Sequence, residues 1–221
     1  VSNHFNFSRI QNQYIRNQFE GQIDTGKMMQ ALIKRVQELG VIILNNTKVE
    51  RYFEHSDKIE IKTTHFELSA LKLIFTTNGF AKQLINEDVQ PARAQALITK
   101  PLKNLQIKGT FHLDCGYYYF RNVDNRILLG GGRNLDIKGE TTTKLAETEK
   151  IQQSLENILK YTILPKIDFK IEQRWSGIMG VGSQKKPIVK QLSNHVYCGV
   201  RMGGMGVAIG SLIGKEVSEF F

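Results

Sequence analysis

The sequence predicts a mixed α/β fold in which antiparallel β-sheet is flanked by helices. Three patterns predict it. Apolar residues between Asp24 and Gly40 recur at helical spacing, and from Lys48 to Phe75 the period drops to two. A second run of short strands starts at Pro91 and leads into another helical stretch. The chain then closes on His195-Val-Tyr-Cys-Gly-Val-Arg-Met-Gly-Gly-Met-Gly-Val-Ala-Ile-Gly210, which reads as strand, glycine turn and helix.

Taken in order, residues 1–20 form an irregular or short-helical lead-in spotted with Phe5, Phe7, Ile10, Tyr14, Ile15 and Phe19. Asp24 is placed to cap a helix whose buried stripe is Met28, Met29, Leu32, Ile33, Val36 and Leu39, with Gly40 as its stop. Val41 to Leu44 follows as a short buried strand. Val49, Tyr52, Ile59, Ile61, Phe66 and Leu68 alternate with polar residues as antiparallel ribbon, with a turn at His55-Ser-Asp57. Leu71 to Thr76 is a denser strand ending at the turn tripeptide Thr77-Asn78-Gly79, ahead of a helical piece from Phe80 to Ile85.

Beyond Pro91, residues 92–99, 106–114, 117–121 and 126–129 read as antiparallel strands, with Asp124-Asn125 as a hairpin turn and Gly130-Gly131-Gly132 closing the last of them. Thr143 caps a helix with the stripe Ile151, Leu155, Ile158 and Leu159, stopped at Leu164-Pro165. Strands at 167–179, 187–189 and 195–200 precede a last helix with Ala208, Ile209, Leu212, Ile213, Val217 and Phe220. At its start, Gly203, Gly204 and Gly206 have no Cβ to keep a ligand off the backbone. The unpaired N–H groups and partial positive charge of a helix N-terminus invite an electron-rich or anionic group there.

Composition excludes several classes. The net charge of +9 would point to nucleic acid if concentrated, but residues 1–100 hold 13 basic and 10 acidic groups and residues 101–221 hold 17 and 11. The densest spot, Lys185-Lys186 with Lys190, lacks interleaved aromatics and reads as a solvated face, so no nucleic-acid partner is expected. Cys115 and Cys198 form neither a disulfide framework nor a zinc motif, which fits a reducing, cytoplasmic location, and the five histidines show no metal-ligand spacing. No apolar run is long enough to span a membrane. Oligomeric state leaves no mark on the sequence. The start at Val1, without methionine, reads as an excised piece of something longer.

Several stretches, in this order, resemble the FAD-dependent oxidoreductases of the D-amino-acid oxidase and glycine oxidase family. They are Gly21-Gln-Ile-Asp24, Gly40-Val41, Thr77-Asn78-Gly79, Pro91-Ala-Arg-Ala-Gln95, Tyr119-Phe-Arg and Arg126-Ile-Leu-Leu-Gly-Gly131. Trp175-Ser-Gly177, Pro187-Ile188 and Gly199-Val-Arg-Met-Gly-Gly-Met-Gly-Val207 continue the match. The resemblance implies the remainder of a Rossmann-type FAD-binding domain (residues 1–90, closed by 181–221) with an inserted antiparallel substrate domain (91–180). Nothing before Gly21 resembles the G-x-G-x-x-G turn that holds the FAD pyrophosphate, so roughly 100 to 150 further residues are expected upstream.

By the same resemblance, FAD is bound non-covalently, and a C–N bond of an amino acid or secondary amine is oxidised by hydride transfer to flavin N5. The product is an imine, with H2O2 if O2 is the acceptor. Gly199, Gly203, Gly204, Met205, Gly206 and Val207 would lie against the isoalloxazine, Arg201 near flavin or substrate, with a surface salt bridge as its alternative, Val49 at the adenine, and Thr77, Asn78 and Gly79 on the pyrophosphate side. Tyr117 and Tyr119 share one face of their strand and are candidates to hold substrate, with aromatic packing as the alternative. Arg133 and Arg93 are further candidates, and Trp175 reads as core. Met179 falls where members oxidising glycine or D-amino acids carry an arginine that clamps the substrate carboxylate, which favours a secondary or larger amine. Two other readings remain open: a flavin-, nucleotide- or RNA-associated module, if Lys185, Lys186, Lys190 and Arg174 cluster, and a sheet that serves only as an interaction platform.

Overall fold

A computed structural model describes residues 2–11 and 13–221; Val1 and Asn12, which belong to the expected lead-in, lie outside the described residues. In chain order the elements are α1 (Ser2–Phe5), α2 (Thr25–Glu38), β1 (Val49–Glu54), β2 (Ile59–Thr63), β3 (Glu67–Ala70) and β4 (Leu73–Phe75). A 3-10 turn (Asn78–Gln83) leads to β5 (Gln90–Thr99), β6 (Thr110–Leu113), β7 (Tyr118–Val123) and β8 (Arg126–Gly131). Then come α3 (Glu149–Ile158), prolonged by a π turn (Leu159–Ile163), β9 (Ile171–Val181), β10 (Ile188–Gln191), β11 (Val196–Val200) and α4 (Gly206–Ser218). The chain forms two compact units. Val1–Asp24 with Arg93–Gly177 make a sheet unit, and Thr25–Ala92 with Ile178–Phe221 make a glycine-turn unit.

The sheet unit is built on five strands in the order β6-β7-β8-β5-β9, antiparallel along β6-β7-β8-β5. Because side chains alternate across a strand, Leu97, Phe120, Ile127 and Leu129 all fall on one face, where Ile151, Leu155 and Leu159 of the helical layer bury them. Phe5, Phe7 and Ile10 of the lead-in, grouped by the sequence reading with 25–90, pack here instead. Phe7 enters this core with its ring 5.5 Å from that of Phe120, and Gln22 and Ile23 are hydrogen-bonded to Asn122 and Arg121 of β7.

Helix α3 starts at Glu149, not after Thr143. Its first turn is set by tertiary hydrogen bonds: the Thr148 amide donates to Gln95 Oε1 at 2.9 Å, and Gln95 Nε2 donates to Thr148 Oγ1 at 2.8 Å. A partner on β5 decides the boundary, which local capping propensity does not encode.

The glycine-turn unit holds the antiparallel sheet β1-β2-β3 and the sheet β10-β11-β4, in which β11 pairs parallel with β4. Ile59, Ile61, Phe75, Val89, Val196, Cys198 and Val200 form its core. All five residues of β11 are buried, as an unbroken apolar strand demands. Helix α4 lies against β11 through Ile213 and Val217. The close approach needs Gly199, since a Cβ there would come within 2.7 Å of Val217 Cγ2.

Two expectations fail in this unit. Helix α2 forms, but its apolar stripe stays open: Met29, Leu32, Ile33 and Leu39 are 45–64 % exposed. Val41–Leu44 is not a strand, and its four side chains are exposed. An extended segment becomes a strand only when a neighbour takes its N–H and C=O groups, and among the described residues no such strand flanks it.

Candidate functional site

The turn between β11 and α4 is held in an unusual backbone path. Arg201, Gly203 and Gly204 have φ of +64°, +58° and +87°, the left-handed region in which glycine is at ease and arginine is not. Three segments interlock beneath it. The Met202 amide donates to Asn78 Oδ1 at 3.0 Å, and the Gly203 amide donates to the Gly180 carbonyl at 2.9 Å. A Cβ on Gly180 would run into the Asn78 side chain, and one on Gly79 would run into the Met179 carbonyl, so both glycines are required for this packing. What remains is a set of free donors. The amides of Gly204, Gly206 and Val207 have no acceptor among the described residues, while Gly204, Met205 and Val207 are exposed.

Arg201 is committed elsewhere. Its Nη1 donates to Asp88 Oδ2 at 2.6 Å and to the Asp88 carbonyl at 3.0 Å, and its Nε donates to the Lys186 carbonyl at 2.8 Å. Ser183 completes the clasp, donating from Oγ to Asp88 Oδ2 at 2.6 Å. The Ser183 hydroxyl, helped by its amide and the Arg201 charge, holds the Asp88 carboxyl below its ordinary value against the effect of burial. Arg201 is thus placed as a brace of the turn, with its side chain 8 % exposed. Gly199 is likewise occupied by packing against α4.

In the sheet unit the face opposite α3 carries a different arrangement. Tyr119 projects from β7 across Gly130 of β8, its registered partner, and a Cβ on Gly130 would lie 2.5 Å from the phenol oxygen. Ala96 of β5 is the next residue in the same cross-strand row. Burial pushes the Tyr119 phenol above its ordinary value, so it stays a neutral donor. Tyr117, expected on the same strand face, instead closes the 3-10 turn Asp114–Gly116 with helical φ and ψ of −67° and −23°, one residue before β7 begins, so strand alternation does not align it with Tyr119; it is 52 % exposed. Tyr118 points into the core, its hydroxyl 3.0 Å from Ser154 Oγ.

Residues 13–220 match the family described as FAD dependent oxidoreductase. The chain belongs to that family. It is 24 % identical over 204 residues to the probable oxidoreductase OrdL of Haemophilus influenzae, covering 85 % of this chain and 44 % of that protein. It resembles in structure L-proline dehydrogenase from P. horikoshii, with a TM-score of 0.73 at 19 % identity over 89 % of this chain and 55 % of the other. Glycine oxidase from Geobacillus kaustophilus gives a TM-score of 0.73 at 16 % identity over 86 % and 52 %. The chain thus spans about half the length of the relatives it matches.

For an FAD-dependent oxidoreductase the free amides at the head of α4 are a fitting donor set, since the pyrimidine end of a reduced flavin carries negative charge. Met179, at the end of β9, sits beside them: its sulfur would lie 3.4 Å from a Cβ on Gly204. Val49 opens β1 opposite Thr63, next to a register shift, and Thr77 is exposed just before the 3-10 turn. Asn78 and Gly79 reach the glycine turn through the side chain of one and the bare backbone of the other.

Arg93 is not open to a substrate. It makes a bidentate pair with buried Glu140, Nε to Oε2 at 2.8 Å and Nη2 to Oε1 at 2.9 Å. Arg133 keeps its Nε, as Asn134 keeps Oδ1 and Ser176 keeps Oγ, without a partner among the described residues. Trp175 is partly buried. Of the basic residues, Arg174 pairs with Glu156 at 2.6 Å and Lys190 with Glu87 at 2.9 Å. No group of three or more metal-ligating side chains occurs among the described residues, and no helix there is long and apolar enough to cross a membrane.

Sequence reading missed Asp88, Ser183, Gly180 and Gly130 as parts of these arrangements. Each is named only by a partner at least 11 residues away in the chain, as with Tyr119 and Gly130.

Proposed function

We propose that the protein of which this chain forms part oxidises a C–N bond of an amine or amino acid. The observation that carries the reading is the trio of amides left without an acceptor among the described residues, Gly204, Gly206 and Val207, at the head of a 13-residue helix. FAD, when bound, supplies a two-electron acceptor for a hydride and so converts the amine carbon to an imine. The amides of the turn would hold the flavin at its N1–C2 carbonyl end and stabilise negative charge there, with the α4 dipole adding to them. Asp88, Ser183 and Arg201 keep the backbone in place, so the donors need no reorganisation as charge grows.

Tyr119 would donate its phenol proton in a hydrogen bond to the substrate and orient it, and Tyr117, exposed one residue before β7, would be a second donor to the substrate. The Met179 thioether offers no charge to a carboxylate, which favours a secondary or larger amine over a simple D-amino acid; L-proline, named for one structural relative, is itself a secondary amine. We infer non-covalent FAD, because residues 199–207 include neither cysteine nor histidine and Cys198 is buried in the core with its thiol pushed up by burial. Two free thiols fit a cytoplasmic setting, and O2 or another acceptor would reoxidise the flavin.

The test is an absorbance spectrum of the purified full-length protein before and after anaerobic addition of amines, N-methyl amino acids and D-amino acids. Oxidised-flavin bands that bleach with secondary amines are the expected result. A colourless protein that fails to take up added FAD overturns the proposal.

A further inference from the structure

Asn78 stands in a position that the chemistry of the turn alone does not explain. Its φ is +46°, which for a non-glycine residue is comfortable only for asparagine and aspartate. Its side-chain carbonyl accepts the Met202 amide at 3.0 Å and fits over Gly180, whose own carbonyl takes the Gly203 amide at 2.9 Å. Two consecutive amides of the turn are therefore tied down, one by a side chain 124 residues away in sequence and one by β9. The next amides in the chain, at Gly204, Gly206 and Val207, are the ones without an acceptor among the described residues. A peptide plane is rigid, so fixing the direction of two N–H groups fixes the path from which the following ones project.

We propose that Asn78 is a positioning residue: without touching the reacting atoms, its Oδ1 sets the orientation of the free amides at the head of α4, and through them the affinity and electron affinity of the bound flavin. This rests on the flavin-binding reading of the turn. It also accounts for the residue type. Glycine would allow the backbone but supply no acceptor. Aspartate would allow the backbone and accept the same hydrogen bond, but would bring a negative charge next to donors that serve developing negative charge. Asparagine alone of the three combines a tolerated left-handed backbone, an acceptor and neutrality.

The experiment compares wild type, Asn78→Gly and Asn78→Asp in the full-length holoprotein. Glycine at 78 removes the acceptor without straining φ, so loss of folding does not confuse the result, and a thermal melt confirms it. Three quantities are read: amide hydrogen exchange of residues 202–207, the FAD dissociation constant, and the midpoint potential of the bound flavin. With Asn78→Gly, exchange over 202–207 quickens and FAD binding weakens about tenfold, the scale of one hydrogen bond to a positioned group. With Asn78→Asp, protection and FAD affinity return to within about threefold of wild type while the midpoint potential moves to more negative values. A potential that separates from affinity in this way is not produced by a merely structural role.

Asn78→Gly with unchanged exchange and FAD affinity overturns the proposal, as does Asn78→Asp that keeps affinity and potential alike. If wild type binds no flavin, the functional reading falls. The proposal falls with it in its flavin part, and exchange at 202–207 still decides whether Asn78 orients the turn.

Discussion

The role of Arg93 is decided by a partner 47 residues away in the chain, Glu140. Its carboxylate is 1 % exposed and paired with Arg93, and it also accepts from Gln95 Nε2 at 3.0 Å and Thr148 Oγ1 at 3.3 Å. Burial opposes ionisation, but the hydrogen bonds from Arg93 and Gln95, the Arg93 charge and Thr148 outweigh it, so the carboxyl titrates below its ordinary value. Arg93, a candidate for substrate binding in the sequence, is thereby a tie between β5 and the segment before α3. A folded-state value below the unfolded one contributes stability above the unfolded pKa, and this is lost as pH falls through the folded value. Glu140→Gln at neutral pH leaves a buried guanidinium without its counter-charge, and the expected loss is about 3–5 kcal/mol. Denaturant melts of both proteins should show that difference at pH 7 and a smaller one as pH drops below the ordinary carboxylate range, because wild type then loses the same charge. A gap that stays constant into acid would mean the ion pair is not its source.

At the scale of elements, the β7–β8 hairpin carries a dependence that no single residue reveals. Tyr119 lies flat only because Gly130 across the ladder has no side chain. Gly130→Ala should lift the phenol and lower kcat/KM on an amine substrate about as much as Tyr119→Phe does, roughly tenfold each. The double variant should be no worse than either single one, since both remove the same interaction. Additive losses in steady-state kinetics would show that the two positions act independently. Periodicity made the hairpin itself legible: the alternation that puts Tyr118 and Phe120 inward and Tyr119 outward is written in the chain, as are the apolar strand β11 and the helix after it. The row Tyr119–Gly130–Ala96 was not legible, because register is a property of pairing. The start of α3 was missed for the same reason, Thr148 being chosen by Gln95 and not by a local cap. The stripe on α2 and the segment Val41–Leu44 were expected to be buried and are exposed, because a pattern of apolar residues does not say what packs against it.

Across the whole molecule, order and spacing of short motifs were enough to place the chain in its family, although no one motif is decisive. Membership leaves the substrate open, because one fold hosts many chemistries and the difference lies in a few side chains at the site. Position 179 is such a place. Its main chain meets Gly79 and its sulfur meets the free-amide region at Gly204, so whatever stands there borders the proposed flavin site. Methionine gives a polarisable, uncharged wall that suits an apolar substituent on the amine. An arginine of similar reach would offer a planar fork for a carboxylate. Met179→Arg in the full-length holoprotein should therefore raise kcat/KM for glycine, sarcosine or D-alanine about tenfold relative to an uncharged secondary amine of similar size, the worth of one charge-assisted pair near the surface. The ratio is the informative quantity, since a cation beside the flavin alters its potential for every substrate alike and cancels between them. A ratio unchanged within about twofold would remove position 179 from contact with the substrate, and with it the argument that methionine there selects against an α-carboxylate.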